Sequence, residues 1–199
     1  MGAGFDSRAI RFYSPQLRNI KVFETDTVHT QNVKARQLEK RGIKIPENNI
    51  YVSIDFDKEN LKTRLDDNNY NLERKTLFIL EGLTMYLSEN SINETFKVIS
   101  GYPASGSLIV FDYIYASVLR REGKYYGEEA IYKRVKKENE KWTYGIEEEQ
   151  IDDFLNSFNY SLVDHLDSLA IEKKYFTDES GTLIAKVNGT HCIVLAQKN

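Results

Sequence analysis

The stretch that decides the fold stands at residues 1–8, which read MGAGFDSR. Gly2 and Gly4 lie one residue apart, and a glycine pair of this kind normally follows a β-strand at the edge of a nucleotide site. Since glycine has no Cβ, it adopts positive φ angles and lets the backbone come close to a ligand. A single Gly-x-Gly is weak evidence, so the ends of the other predicted strands decide what it means.

Four short apolar runs alternate with helical patterns, which predicts an α/β fold with a mostly parallel, doubly wound sheet. The predicted strands are residues 21–24, 50–54, 77–80 and 108–113. Apolar residues at helical spacing lie between and after these runs, and Ser88 is placed to cap the second of the three helices. These residues are Leu61 and Leu65; Ile92, Phe96 and Ile99; and Ile151, Phe154, Leu155 and Phe158. Residues 161–176 and 191–198 are strand-like and joined by turns, which predicts an antiparallel finish.

Residues 115–144 interrupt this alternation with a charged, tyrosine-rich segment of helical propensity. One interpretation is a pair of solvated surface helices. The other is a lid, because insertions at the carboxyl ends of strands usually shape substrate pockets. We predict one domain over residues 1–199, with this segment as its lid.

Acidic residues follow the predicted strands at the edge where ligands of open α/β sheets bind. Asp26 stands where a carboxylate accepts from both hydroxyls of a ribose, and Asp55 where it accepts from an adenine amino group. Phe56 offers a ring to pack against the base, and Glu81 ends the third run. Any one of these acids is equally explained as a helix cap, but their repetition at successive strand ends favours a nucleotide site.

The first motif discriminates between two nucleotides. A dinucleotide site uses Gly-x-Gly-x-x-Gly and places the pyrophosphate at a helix N-terminus. Here Ser7 occupies the third glycine's position, and Asp6 would bring negative charge to the pyrophosphate. S-adenosylmethionine has no phosphate and carries a positive sulfonium, so the acidic rim favours this cofactor over NAD.

Four motifs, GAGFDSRAIRF at 2–12, VFETD at 22–26, SIDF at 53–56 and LFILEGLTMYL at 77–87, together carry a resemblance. The chain resembles the S-adenosylmethionine-dependent methyltransferases related to leucine carboxyl methyltransferase over about residues 2–113. The resemblance implies a Rossmann-like methyltransferase fold whose last strand is antiparallel. It also implies an O-methyltransferase of small molecules or polyketides.

The same resemblance assigns roles to individual residues. Gly2 and Gly4 would line the cofactor, and Asp26 would hold its ribose. The remaining cofactor contacts implied are Asp55 and Phe56 at the adenine and Glu81 near the methionine part. Arg8 belongs to the first motif and is expected to pair with Asp6 or a helix end.

The start of the chain departs from the family pattern. Relatives carry a helical region and a first strand before the Gly-Ala-Gly, so the first strand and the N-terminal helices are predicted to be missing. Two strands would then face a gap of roughly 10 Å, twice the normal spacing. That gap raises two further expectations: self-association through the incomplete sheet, or a catalytically inactive remnant.

The acceptor chemistry stays open between a carboxylate and a hydroxyl. A carboxylate is ionised at neutral pH and needs no base, whereas a hydroxyl does. No histidine directly follows the fourth predicted strand, so Tyr86 and Tyr113 are the catalytic candidates for orienting an acceptor. The alternative is that both tyrosines are core residues with satisfied hydroxyls. A nicotinamide-dependent oxidoreductase is the competing enzyme class.

Composition limits the partners. The net charge of −3 and the lack of a basic patch give no reason to expect nucleic acid. The apolar runs are too short to span a bilayer, so no membrane is expected. The lone Cys192 fits a reduced, cytoplasmic setting, and the three histidines lack metal-ligand spacing, so no metal is predicted.

Overall fold

The computed structural model describes residues 1–16, 19–71, 73–101, 103–137 and 141–199. It divides into two compact units, Met1–Leu72 and Glu73–Asn199. Each unit is a piece of α/β structure with its own sheet. No helix within the described ranges is long and apolar enough to cross a bilayer.

The first unit carries a two-stranded parallel sheet, β1–β2, in which Val22 pairs with Asn49 and Asp26 with Ser53. Its elements in chain order are α1 (Arg8–Arg11), β1 (Val22–Asp26), α2 (Val28–Lys40), β2 (Asn49–Ser53) and α3 (Leu61–Asp67). The side chain of Thr27 caps α2 by accepting from the N–H of Thr30, and Asn60 caps α3 in the same way. Both strands lie within two residues of the predicted bounds.

Buried polar contacts hold α2 against β1 and β2. The Lys34 ammonium forms an ion pair with Glu24, and both side chains are almost fully buried. The Asn49 amide donates to the second Glu24 oxygen at 3.0 Å. Gln31 donates to the backbone oxygens of Glu24 at 2.9 Å and Val52 at 3.0 Å. Helix α2 is therefore held against the sheet by a buried ion pair and hydrogen bonds. Apolar packing is the usual contact at such a position.

The second unit carries a four-stranded sheet of order β3-β4-β6-β5. Its strands are β3 (Leu77–Leu80), β4 (Leu108–Ile114), β5 (Tyr160–Leu166) and β6 (His191–Lys198). Its helices are a 3₁₀ turn (Thr84–Tyr86), α4 (Glu89–Gly101), α5 (Ala116–Leu119), α6 (Glu128–Lys137), α7 (Ile151–Ser157) and α8 (Ser168–Tyr175). Because β3 and β4 are parallel and β6 is antiparallel to both its neighbours, the predicted antiparallel finish is confirmed.

The predicted core of this unit is present. Ser88 caps α4 by accepting from the N–H of Ser91 at 3.1 Å. Ile92, Phe96 and Ile99 are all fully buried. The ring of Phe96 packs edge-on against Phe111 and Phe154, with centroids 5.3 and 4.8 Å away.

One part of the predicted finish is wrong: residues 168–175 are helical, not strand. The side chain of Asp167 accepts from the N–H of Ala170 at 2.7 Å and so starts α8. An aspartate at this position satisfies a backbone donor that a new helix would leave unpaired, which ends the strand.

β5 contains a β-bulge that the sequence pattern does not predict. Its register shifts between Leu162, opposite Ala196, and Asp164, opposite Leu195. His165 therefore lies opposite Val194, two residues from Ala196 on the partner strand. Since residues two apart in a strand share a face, Leu162 and His165 face the same side although they are three apart.

Residues 115–137 and 141–144, the described part of the predicted lid, contain α5 and α6 and return to the sheet through a bridge between Tyr115 and Ile146. The return is tight, because a Cβ at Gly145 would lie 2.9 Å from the Ile114 carbonyl oxygen. Tyr125 stacks on Tyr115 with ring centroids 4.7 Å apart. The helical content is confirmed; the lid function stays a prediction.

We expect the backbone amides of α6 to exchange with deuterium faster than those of α4 and β4. Within α6 only Glu128 is buried, whereas α4 buries six side chains. A helix with little buried surface opens locally at low cost. Hydrogen exchange followed by mass spectrometry measures this, with α4 as the matched control. Slower exchange in α6 than in β4 would exclude a mobile lid.

Candidate functional site

The glycine motif of the first unit is folded around the end of β1. Gly2 and Gly4 both adopt positive φ angles, 60° and 48°. The N–H of Ala3 donates to the Thr25 carbonyl at 3.0 Å, and the N–H of Gly4 donates to the Asp26 carboxylate at 2.7 Å. The structure thus brings together three of the predicted cofactor residues, Gly2, Gly4 and Asp26.

Asp26 is positioned by the backbone on both sides. One oxygen accepts from Gly4, and the other accepts from the N–H of Thr27 at 2.7 Å. An ionised carboxylate has about four lone-pair positions, so acceptor capacity remains for two hydroxyls. Asp26 can therefore accept from two neighbouring hydroxyls, such as those of a ribose.

Asp55 and Phe56 follow β2 beside this loop. The N–H of Ile54 donates to the Asp26 carbonyl at 2.9 Å, which joins the two strand ends. The Asp55 carboxylate accepts from the Lys58 ammonium at 2.7 Å, and this hydrogen bond lowers the pKa of Asp55. Phe56 is half-buried. An adenine amino group would therefore share Asp55 with Lys58.

The predicted pairing of Arg8 with Asp6 is present, with a 2.7 Å contact between Nε and Oδ2. Burial opposes ionisation of Asp6, but the backbone N–H and guanidinium of Arg8 outweigh it and lower the pKa of this carboxyl. Arg8 therefore serves the loop's own structure.

In the second unit, Glu81 is exposed directly after β3. The loop that carries it is fixed by Asp112, a residue not predicted from the sequence. The Asp112 carboxylate accepts from the N–H of Gly82 at 2.8 Å, and its backbone oxygen accepts from the Thr84 hydroxyl at 2.5 Å. A carboxylate inside the apolar run LIVFDY was the sequence signal for this role. Burial raises the pKa of Asp112.

We expect Asp112→Asn to stabilise the fold at pH 7. Because the folded-state pKa is raised, the wild type loses stability as pH rises from the unfolded value of about 3.9 to the folded value. The asparagine retains an acceptor for Gly82 and carries no charge, so its advantage should vanish below about pH 3.9. Urea denaturation at several pH values measures the difference. Asp112→Ala, which leaves the Gly82 N–H without this acceptor, is the control and should be less stable than Asp112→Asn throughout.

The two candidate catalytic tyrosines differ in exposure. Tyr86, in the 3₁₀ turn, is 36% exposed, whereas Tyr113, in β4, is 1% exposed. The Tyr113 hydroxyl lies 3.1 Å from Nε2 of His165. Tyr113 is thus a core residue with a hydrogen-bonded hydroxyl. Its partner, His165, is half-buried.

The family model described as leucine carboxyl methyltransferase matches residues 1–100, half of the chain. The chain belongs to the leucine carboxyl methyltransferase family. This confirms the family predicted from the four motifs, all of which lie inside the matched region.

Two bacterial relatives carry consistent names. "Putative S-adenosyl-L-methionine-dependent methyltransferase YktD" of Bacillus subtilis is 27% identical over 186 residues, which are 93% of this chain and 60% of the relative. A "Putative S-adenosyl-L-methionine-dependent methyltransferase" of Mycobacterium avium is 31% identical over 109 residues, or 55% of this chain and 35% of the relative. The chain therefore spans less than two thirds of the length of either relative.

Solved structures confirm the Rossmann-like methyltransferase fold expected for this family member. A protein described as a putative methyltransferase from Thermobifida fusca superposes with a TM-score of 0.63 at 14% identity, covering 90% of this chain and 63% of its own. Magnesium protoporphyrin IX methyltransferase from Synechocystis, with bound S-adenosylhomocysteine, gives a TM-score of 0.56 at 12% identity, covering 100% and 72%.

Proposed function

We propose that this member of the leucine carboxyl methyltransferase family uses S-adenosylmethionine to methylate an oxygen of a small-molecule or polyketide-like acceptor. The observation that carries the proposal is the contact of Gly4 with Asp26, which pairs a close-approach backbone with a carboxylate that keeps spare acceptor capacity. The names of the relatives support the cofactor.

In this proposal the predicted site residues would contact different parts of the cofactor. Gly2 and Gly4 would let the backbone approach the cofactor, and Asp26 would accept from its ribose hydroxyls. Asp55 and Phe56 would contact the adenine, and Glu81 would contact the methionine part. When bound, S-adenosylmethionine supplies a methyl group on a positively charged sulfur.

The acceptor in this proposal is a carboxylate or a hydroxyl. Tyr86 is exposed enough to orient an acceptor by hydrogen bonding. The protein contributes mainly alignment and exclusion of water to such a displacement. A nicotinamide cofactor is disfavoured, because Asp6 in the glycine loop would place negative charge beside its pyrophosphate.

Calorimetry with S-adenosylhomocysteine and with NAD tests the cofactor. We expect saturable binding of the first and none of the second. Transfer of a labelled methyl group from S-adenosylmethionine to a panel of carboxylates, phenols and amines then tests the reaction. Binding of NAD alone, or methylation of amines alone, would overturn the proposal.

A further inference from the structure

A cluster of polar side chains lies at the carboxyl end of β4. It consists of Tyr113 from β4, Tyr115 directly after it, Cys192 from β6 and His165 from β5. Tyr113 pairs with Cys192 across the β4–β6 ladder, and its hydroxyl reaches His165 at 3.1 Å. The carboxyl end of a parallel strand is where α/β enzymes hold their substrates, so the cluster stands at a functional edge of the sheet.

The β5 bulge gives His165 its direction. Without the register shift between Leu162 and Asp164, a residue three positions after Leu162 would face the opposite side of the sheet. With the shift, His165 shares a face with Val194 and so reaches the Tyr113 hydroxyl. Bulges recur beside active sites because they re-aim a side chain.

Burial keeps the phenol and the thiol of the cluster protonated. Burial raises the pKa of Tyr113, and the neighbouring Cys192 thiol raises it further, so the phenol stays protonated. Burial likewise raises the pKa of Cys192. The Tyr113 hydroxyl lies 3.1 Å from Nε2 of His165, and the tautomer of the imidazole decides which of the two donates. In the tautomer that carries its proton on Nε2, the Tyr113 oxygen accepts. That assignment leaves the lone pair of the imidazole on Nδ1.

We propose that His165 is the general base of this enzyme and that Tyr113 is the residue that positions it. The inference rests on the proposed O-methylation and narrows its acceptor to a hydroxyl, since a carboxylate needs no base. The acceptor's O–H bond breaks, its electron pair forms the new bond to the methyl carbon, and its proton goes to Nδ1. The electron pair of the broken methyl–sulfur bond stays on sulfur, which becomes a neutral thioether. The imidazolium then gives its proton to water.

Other titratable groups stand around this pair. Tyr125, Asp167 and Glu148 act on the tyrosines and on Cys192. On the β5 side, Asp164 next to His165 pairs with Lys174 of α8 at 3.6 Å. A pH profile must therefore be compared with that of a variant that changes His165 alone.

The test compares wild type, His165→Gln and His191→Gln on three acceptors: an unsubstituted phenol, a nitrophenol that ionises near neutral pH, and benzoate. Loss of a general base costs about 10²- to 10⁴-fold. We expect this loss for His165→Gln on the phenol only, and we expect the pH dependence of the phenol rate to change with it. His191, a half-buried histidine of the same sheet, is the matched control and should retain the wild-type profile.

A second readout does not depend on turnover. Nitrogen-15 NMR of the imidazoles in the protein with S-adenosylhomocysteine should show His165 as the Nε2–H tautomer in wild type, and loss of that preference in Tyr113→Phe. An equal loss of rate on all three acceptors, an unchanged phenol rate in His165→Gln, or an Nδ1–H tautomer would each overturn the role of His165 alone. A wild type that binds S-adenosylhomocysteine and methylates no oxygen acceptor would overturn the proposed function and the base with it.

Discussion

Asp26→Ala is expected to weaken binding of S-adenosylhomocysteine by about ten- to a hundredfold, because a hydrogen bond to a charged group contributes about 1.5–3 kcal/mol. The substitution also removes the acceptor for the Gly4 and Thr27 N–H groups, both 2.7 Å from the carboxylate. The glycine loop and the start of α2 would then lose a shared anchor. Isothermal titration calorimetry of the full chain measures the change.

Two variants separate the ribose contact from the loop contact. Asp26→Asn retains one acceptor oxygen and should fall between wild type and alanine. Asp6→Ala breaks the neighbouring pair with Arg8 in the same loop and should cost less than Asp26→Ala. Equal affinity of wild type and Asp26→Ala, with both folded by circular dichroism, would remove Asp26 from the site.

Lys34→Met is expected to destabilise the fold by about 3–5 kcal/mol, the usual cost of leaving one charge of a buried pair uncompensated. Glu24 is 6% exposed and Lys34 is 3% exposed, so water cannot replace the missing partner. The double variant Glu24→Leu/Lys34→Met should recover most of the loss, because it leaves no charge behind. The free energy of unfolding from urea titration measures both.

The exposed pair of Glu94 and Lys97, 2.8 Å apart on α4, provides the control. Lys97→Met breaks a solvated ion pair of the same charge types and should cost less than about 1 kcal/mol. If Lys34→Met costs no more than Lys97→Met, the Glu24–Lys34 pair is not the contact that holds α2.

Local patterns predicted the parts of the fold that depend on local chemistry. β3 occupies the predicted residues 77–80, and the apolar face of α4 is buried as its spacing indicates. The antiparallel finish was predicted from the strand-like residues 191–198 and was also implied by the family resemblance. The acids at the strand ends were found because each ends an apolar run.

Features that depend on long-range contacts were not predictable. His165 meets Tyr113, 52 residues earlier, only because a bulge turns it to that face. The periodicity of residues 161–176 did not distinguish strand from helix, and the capping contact of Asp167 decided the outcome. The role of Asp112 was not predicted, because its partner, the Gly82 N–H, lies 30 residues away in the sequence.

The bulge in β5 changes how members of the family should be compared. A histidine aligned with His165 by position count is equivalent only if the relative keeps the extra residue between the two register segments. In a relative with a regular strand, the equivalent histidine would stand one position earlier, and an aligned one would face the other side of the sheet. Gain or loss of this histidine across the family therefore has meaning only together with the length of the strand that carries it.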